Sequence, residues 1–129
     1  QISFPGGKVD PADASLVATA LREAQEEIAL TPGSVTILGA LDIVASPVGF
    51  VVQPVVGLIA PESDFVAAPD EVDEVLVLPL ADIVDTARHR RESYLREGVR
   101  REVWVIDHAD HYLWGLSASI LVDLAGRHR

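Results

Sequence analysis

Between Ala14 and Ile28 the apolar residues fall at positions 17, 20, 21, 24 and 28, the spacing of a helix with one apolar face. Thr31-Pro32-Gly33 stops that helix, and either Asp10 or Asp13 is expected to cap its start. After it the pattern changes. Val35 to Val44 and Phe50 to Ile59 are rich in β-branched residues and flank Ser46-Pro47-Val48-Gly49, which predicts two strands joined by a turn. Pro54 points to an edge or a bulge in the second strand. A strand fragment is expected at Gln1 to Phe4, a loop over 61–70, a short strand at Val75 to Leu78 and a short helix from Leu80 to Ala87. A hairpin follows, Arg91 to Arg96 and Val99 to Ile106 around Glu97-Gly98, then a strand at Tyr112 to Trp114 and a last helix, Leu116 to Ala125, ended at Gly126. One early helix, one late helix and strands between them predict an α+β or layered α/β/α domain.

At 129 residues the chain is expected to be a single domain, 1–129. Its 49% apolar content is enough for a core, yet no apolar run reaches the roughly 18 residues of a membrane helix. A net charge of −10 repels nucleic-acid phosphates, so neither nucleic acid nor membrane is an expected partner. The charge is uneven. Residues 1–87 hold two bases against fourteen acids, and residues 88–129 hold eight against six. An acidic first part suits divalent cations as counterions, and a basic second part suits an anionic ligand. The absence of cysteine rules out disulfides and thiolate chemistry and fits a cytoplasmic location. The chain opens at Gln1 without a methionine, so an N-terminal segment is expected to be missing.

The chemistry is concentrated in residues 6–30. On a helix, Glu23, Glu26 and Glu27 fall at about 0°, −60° and +40°, while Val17, Ala20, Leu21, Ala24 and Ile28 span about +60° to +160°. Glu27 therefore borders the apolar arc and is expected to point into a cleft. Like charges this close destabilise a helix by a few tenths of a kcal/mol. A hard cation such as Mg²⁺, bound through one or two carboxylates plus phosphates and waters, would offset that cost. Glycines in the preceding loop let backbone groups approach a metal or a phosphate. The plainer alternative is a solvated acidic face with Arg22 as its ion-pair partner.

Gly7, five residues, Asp13, eight residues and then Arg22-Glu23-Ala24-Gln25-Glu26-Glu27-Ile28-Ala29-Leu30 resemble the Nudix box, G-x5-E-x7-R-E-U-x-E-E-x-G-U, where U is bulky and apolar. The chain departs from it by Asp13 for Glu, one extra residue before Arg22, Ala24 at the apolar position and Ala29 for Gly, a change expected to shift the turn more than the metal site. Phe4-Pro5-Gly6-Gly7, Asp10, Asp13 and Thr19-Ala20-Leu21-Arg22-Glu23-Ala24 look like the longer loop of the coenzyme A diphosphatase branch. Ser46 to Phe50, Val52 to Gly57, Asp70-Glu71-Val72-x-Glu74-Val75 and Trp114-Gly115-Leu116-Ser117-Ala118 resemble further segments of that branch.

The resemblance implies a Nudix fold, an α/β/α sandwich with a mixed β-sheet. It implies Mg²⁺ or Mn²⁺ held by Glu23, Glu26 and Glu27, with a carbonyl of Gly6 or Gly7 joining them, and a water attacking phosphorus. Glu26 and Glu27 would be catalytic as well as metal-ligating. Glu71, ahead of Glu74, is the candidate proton acceptor, with an ordinary acidic run as the alternative. Gly6, Lys8, Arg22 and Arg91 would meet the substrate, Arg22 also orienting a glutamate. Arg88, Arg90, Arg91, Arg96, Arg100 and Arg101 form the dense positive region, to be read as receivers of a diphosphate or ribose phosphate or as solvated hairpin charge. The histidines lack zinc-site spacing, and Trp104 and Trp114 read as packing residues. The implied activity is metal-dependent hydrolysis of coenzyme A or acyl-CoA to 3′,5′-ADP and (acyl-)4′-phosphopantetheine. Hydrolysis of ADP-ribose or another nucleoside diphosphate linked to X is the alternative substrate reading, and a non-catalytic nucleotide sensor the alternative class. A homodimer stays open.

Overall fold

The computed structural model describes residues 1–46 and 49–128, the side chain of His128 excepted. Pro47 and Val48, in the middle of the expected turn, lie outside the described residues. The chain divides into two compact units, one of Phe4–Ala40 with Gln53–Val77, the other of Gln1–Ser3, Leu41–Val52 and Leu78 onward.

The first unit is built on α1 (Leu16–Ile28), which begins two residues later than its apolar periodicity suggested. Neither aspartate caps it. Ser15 does, in extended backbone, its Oγ accepting the Ala18 N–H at 3.1 Å. At the other end Ala29 turns left-handed at φ 59° and returns its N–H to the carbonyls of Ala24 and Gln25. The alanine therefore keeps the turn that a glycine would make, at the steric cost of a Cβ in that region. Beyond it, β1 (Val35–Ala40) pairs antiparallel with β4 (Val55–Ile59). The ladder slips between Ile37 and Gly39, so the bulge lies in β1 and not at Pro54.

In the second unit β2 (Val44–Ala45) and β3 (Val51–Val52) form a short antiparallel pair. The two long strands expected from the sequence are thus each cut in two. Gln53-Pro54 interrupts the second, because proline brings no N–H to a ladder. Pro79 precedes α2 (Leu80–Ile83), shorter than expected and followed by a 3₁₀ turn at Thr86–Arg88. The anticipated hairpin is β5 (His89–Arg96) with β6 (Val99–His108), closed by Glu97 and Gly98 at φ 52° and 77°. Two successive positive φ values match the right-handed twist of the flanking strands. β7 (His111–Trp114) completes a three-stranded antiparallel sheet in the order β5-β6-β7.

α3 (Leu116–His128) runs through Gly126 instead of ending there. Ile83, Ile106, Leu113, Ala118 and Leu121 form the core of this unit, with Trp104 packed against it. Ile106 is wholly buried, worth roughly 1.5–3 kcal/mol for such a side chain. Gln1 to Phe4 and Val75 to Leu78 are not strands. Ile2 packs on the core all the same, and its carbonyl accepts the buried Ser117 hydroxyl at 3.0 Å. The class is α+β, as expected, and every strand pairing among the described residues is antiparallel. No helix among them is long and apolar enough to cross a membrane.

Candidate functional site

The site grows from the loop ahead of α1. Asp10 and Asp13 fold that loop on itself: the Asp13 N–H donates to the Asp10 carbonyl, and the Asp10 N–H to Asp13 Oδ2, both at 2.8 Å. Asp13 is then held from the helix. Arg22 Nε donates to its Oδ1 at 3.0 Å, Arg22 Nη2 to its Oδ2 at 3.1 Å, and the Thr19 hydroxyl to Oδ2 at 2.8 Å. Four charge-assisted or polar bonds to one carboxylate favour its ionised form. The Arg22 guanidinium foremost, then the Asp10 N–H and Thr19, hold the Asp13 carboxyl far below its ordinary value. The aspartates expected as helix caps thus fasten the loop to the helix.

Arg22 is the hub of this arrangement. Besides Asp13 it donates from Nη1 to Glu23 Oε1 at 2.9 Å and to both Glu26 oxygens at 3.2 Å, and from Nη2 to the Lys8 carbonyl at 3.1 Å. All of its N–H directions have acceptors within the protein. Of its two expected roles, touching substrate and orienting a glutamate, this geometry performs the second. Lys8 enters the site through its carbonyl, its side chain being exposed.

Gly7 packs directly on the Glu23 carboxylate. A Cβ on Gly7 would stand 2.6 Å from Glu23 Cδ and 2.7 Å from both oxygens, so any larger residue would push the Glu23 carboxylate from its place beside Arg22. Next to it, Gly6 N–H donates to Glu27 Oε1 at 3.0 Å. Glu27 is half-buried, as its place at the border of the apolar arc predicted. Burial first, then the neighbouring carboxylates of Glu23 and Glu71, raise its proton affinity, and only the Gly6 N–H works the other way.

Glu71 reaches this neighbourhood through a backbone strap. The Val66 and Ala68 N–H groups donate to the carbonyls of Ile28 and Glu27 at 3.0 and 2.8 Å, satisfying acceptors left open at the end of α1. The Glu71 N–H then turns back to the Ala68 carbonyl at 3.1 Å. Of the two acids proposed for a proton acceptor, Glu71 is the one whose charge acts on Glu27. The strap has no motif of its own, since backbone groups make its bonds. The Asp13–Thr19–Arg22 contact was also missed as a unit, although a spacing of six and three residues across a helix start was there to find.

Among the described residues no three acidic or histidine side chains stand ready as a closed metal cage. Glu23 and Glu27 face the Gly6-Gly7 backbone with Glu71 near, while Glu26 is exposed and turned to Arg22. A hard divalent ion fits that donor set. It needs one or two carboxylates, takes other oxygens from water or phosphate, and offsets both the burial and the neighbouring charges that raise Glu27. A cavity of about 520 Å³ in this unit is lined by Ile59, Ser63, Asp64, Phe65, Val75 and Val77 among others, and by none of Glu23, Glu26, Glu27 or Glu71. Its one acid is Asp64, so the hollow lacks the paired carboxylates and glycine backbone that Glu23 and Glu27 share.

Arg91 belongs to the other unit. Its Nη2 donates to Glu102 at 3.0 Å, and its guanidinium lies 4.8 Å from the centre of the Trp104 ring. Arg90 is bound to Asp107 and Glu92 at 2.8 and 2.6 Å. Arg90 and Arg91 are thus already paired across the sheet.

The description "NUDIX domain" matches residues 1–98 of the chain. Proteins of Salmonella paratyphi B, Salmonella newport and Salmonella heidelberg, each named an uncharacterized Nudix hydrolase NudL, are 45% identical to it over 125 residues. The aligned region is 97% of this chain and 65% of each relative, so the chain spans just under two thirds of the length of the curated relatives it matches.

Proposed function

Since the chain belongs to the Nudix family, we propose that it hydrolyses a diphosphate bond in a small nucleotide-derived molecule. Coenzyme A or an acyl-CoA is the first choice of substrate, split to 3′,5′-ADP and (acyl-)4′-phosphopantetheine. The observation that carries the reading is the pair Glu23 and Glu27 at the Gly6-Gly7 backbone, with the proton affinity of Glu27 raised by burial and then by the charges of Glu23 and Glu71. The match over residues 1–98 runs through both compact units, which supports reading them as parts of one domain.

Nudix hydrolases work with divalent metal ions, and we take Mg²⁺ or Mn²⁺ as the ion here. Glu23, Glu26 and Glu27 would hold it with the Gly7 carbonyl. When bound, it would supply Lewis acidity and neutralise charge at the diphosphate. The protein's own groups do the rest. Gly6 and Gly7 keep backbone within reach of phosphate oxygens, with Lys8 beside them. Arg22 keeps the Glu23 carboxylate oriented, and Glu71, exposed and close enough to act on Glu27, takes the proton from the attacking water. Arg91 is the candidate for an outlying phosphate such as that on the ribose, in exchange for Glu102. The preference for coenzyme A rests on Phe4-Pro5-Gly6-Gly7 and Thr19-Ala20-Leu21-Arg22-Glu23-Ala24. The reading carries with it a cytoplasmic location.

The test is a panel of coenzyme A, acetyl-CoA, ADP-ribose and further nucleoside diphosphates linked to a second group, each with Mg²⁺, Mn²⁺ or chelator. Metal-dependent release of 3′,5′-ADP, fastest from the coenzyme A compounds, is the expected result. Faster cleavage of ADP-ribose would move the substrate within the family. No metal-dependent cleavage of any member would leave the nucleotide sensor as the reading.

A further inference from the structure

We propose that Thr19 is a positioning residue for this hydrolysis, acting through Asp13 and Arg22 on the Glu23 carboxylate; the inference rests on the hydrolase reading above. Thr19 is a β-branched residue in the first part of α1, only 5% exposed, and it projects on the helix side that carries Glu23 and Glu26. Its hydroxyl has one proton to donate. Two acceptors lie in reach, Asp13 Oδ2 at 2.8 Å and the Ser15 carbonyl at 3.3 Å, and the shorter contact goes to the ionised group.

That proton sets the direction of a relay of fixed groups. Thr19 and the Asp10 N–H hold Oδ2, and Arg22 Nε and Nη2 close a fork on the same carboxylate. The fork sets the plane of the guanidinium, and the plane sets where Nη1 meets Glu23 Oε1. Gly7 lies against one side of the Glu23 carboxylate, so Nη1 is the donor that fixes where Oε1 points. Without the hydroxyl, Asp13 keeps three donors, so the loop stays attached while the restraint on its carboxylate from the helix side is gone. A residue that serves packing alone needs only the volume of threonine, which valine nearly reproduces. A positioning role needs the hydroxyl, which serine reproduces.

Thr19→Val and Thr19→Ser in the full chain separate the two. Steady-state hydrolysis of coenzyme A with Mg²⁺ is measured beside the ¹⁵N-resolved Arg22 Nε–H resonance of the metal-free protein. We expect Thr19→Val to lower kcat about tenfold with KM within about twofold, since small misplacements of a reacting group cost this much or more. The Arg22 Nε–H signal should shift or broaden in the same variant. Thr19→Ser should restore both within about twofold of the wild type. Wild-type kcat and an unmoved Nε–H signal in Thr19→Val would overturn the inference, as would an equal loss in Thr19→Ser. If the wild type itself cleaves nothing, the hydrolase reading fails first, and an unmoved Nε–H signal would still dismiss Thr19 as the holder of Arg22.

Discussion

Arg22 and the arginines of the β5–β6 hairpin carry the same group to opposite ends. Arg22, its side chain 31% exposed, gathers Asp13, Glu23, Glu26 and the Lys8 carbonyl, joining a loop to a helix. Arg90 and Arg91, both 45% exposed, meet acids on the neighbouring strand or their own, in pairs that water can replace. Arginine density therefore says little about where an anion is handled. What matters is how many fixed acceptors converge on one guanidinium, and whether a further group is aligned as a result.

The sharpest way to break this contrast is at the acid that the Arg22 cluster serves. Glu27→Gln should lower the rate of metal-dependent hydrolysis by at least about a hundredfold, given that even outer partners of a metal are worth 10–100-fold. Its thermal stability should hold or rise, because glutamine can still accept from Gly6 N–H while the repulsion from Glu23 and Glu71 is removed. A variant that keeps its rate would detach Glu27 from the chemistry. Arg22→Lys comes next. Lysine keeps the charge and loses the fork on Asp13, so kcat should fall about 10-fold or more. An unchanged kcat would reduce Arg22 to the level of the hairpin arginines.

Acid titration probes the same clamp. The folded Asp13 carboxyl lies far below its ordinary value of 3.8, held there by Arg22, the Asp10 N–H and Thr19. Its contribution is fully present above about 3.8 and is lost as pH falls toward the depressed folded value. Asp13→Asn should therefore be less stable than the wild type at neutral pH and show a shallower loss below about pH 4, read by denaturant melts across the acid range. Identical acid limbs would mean that the clamp contributes nothing to folding.

The two smallest effects concern backbone and surface. Ala29→Gly should raise stability by about 0.5–1 kcal/mol, by relieving the Cβ at φ 59°, offset in part by glycine's greater freedom when unfolded. Equal or lower stability would show that the turn is not strained. Arg91→Ala should change stability by less than about 0.5 kcal/mol. If it also leaves KM for coenzyme A unchanged, Arg91 is only the partner of Glu102 and Trp104, whereas a raised KM at constant kcat would give it the outlying phosphate.

Much of this was legible along the chain. The apolar period from Val17 to Ile28 placed α1 and set Glu27 at its border, and the Glu97-Gly98 turn placed the hairpin. Both are local. A helical face depends on residues three and four apart, and a two-residue turn on its own φ values. The failures were places where the partner was distant or had no side-chain signature. Val75 to Leu78 has the composition of a strand but no ladder, and Gln1 to Phe4 contributes Ile2 to a core made by α3 without pairing at all. Asp10 and Asp13 looked like caps because the sequence cannot say which of several nearby polar side chains adopts the capping geometry.

The order of residues by itself determined the helix, the one-sided placement of Glu23, Glu26 and Glu27, and the glycines that precede them, since these depend on spacing within one turn. Only the tertiary structure decided that Arg22 meets Asp13, that Gly7 lies against Glu23, and that the charge of Glu71 acts on Glu27. Those depend on a loop and a backbone strap returning to the helix, and hydrogen bonds between main-chain atoms leave no trace in side-chain identity.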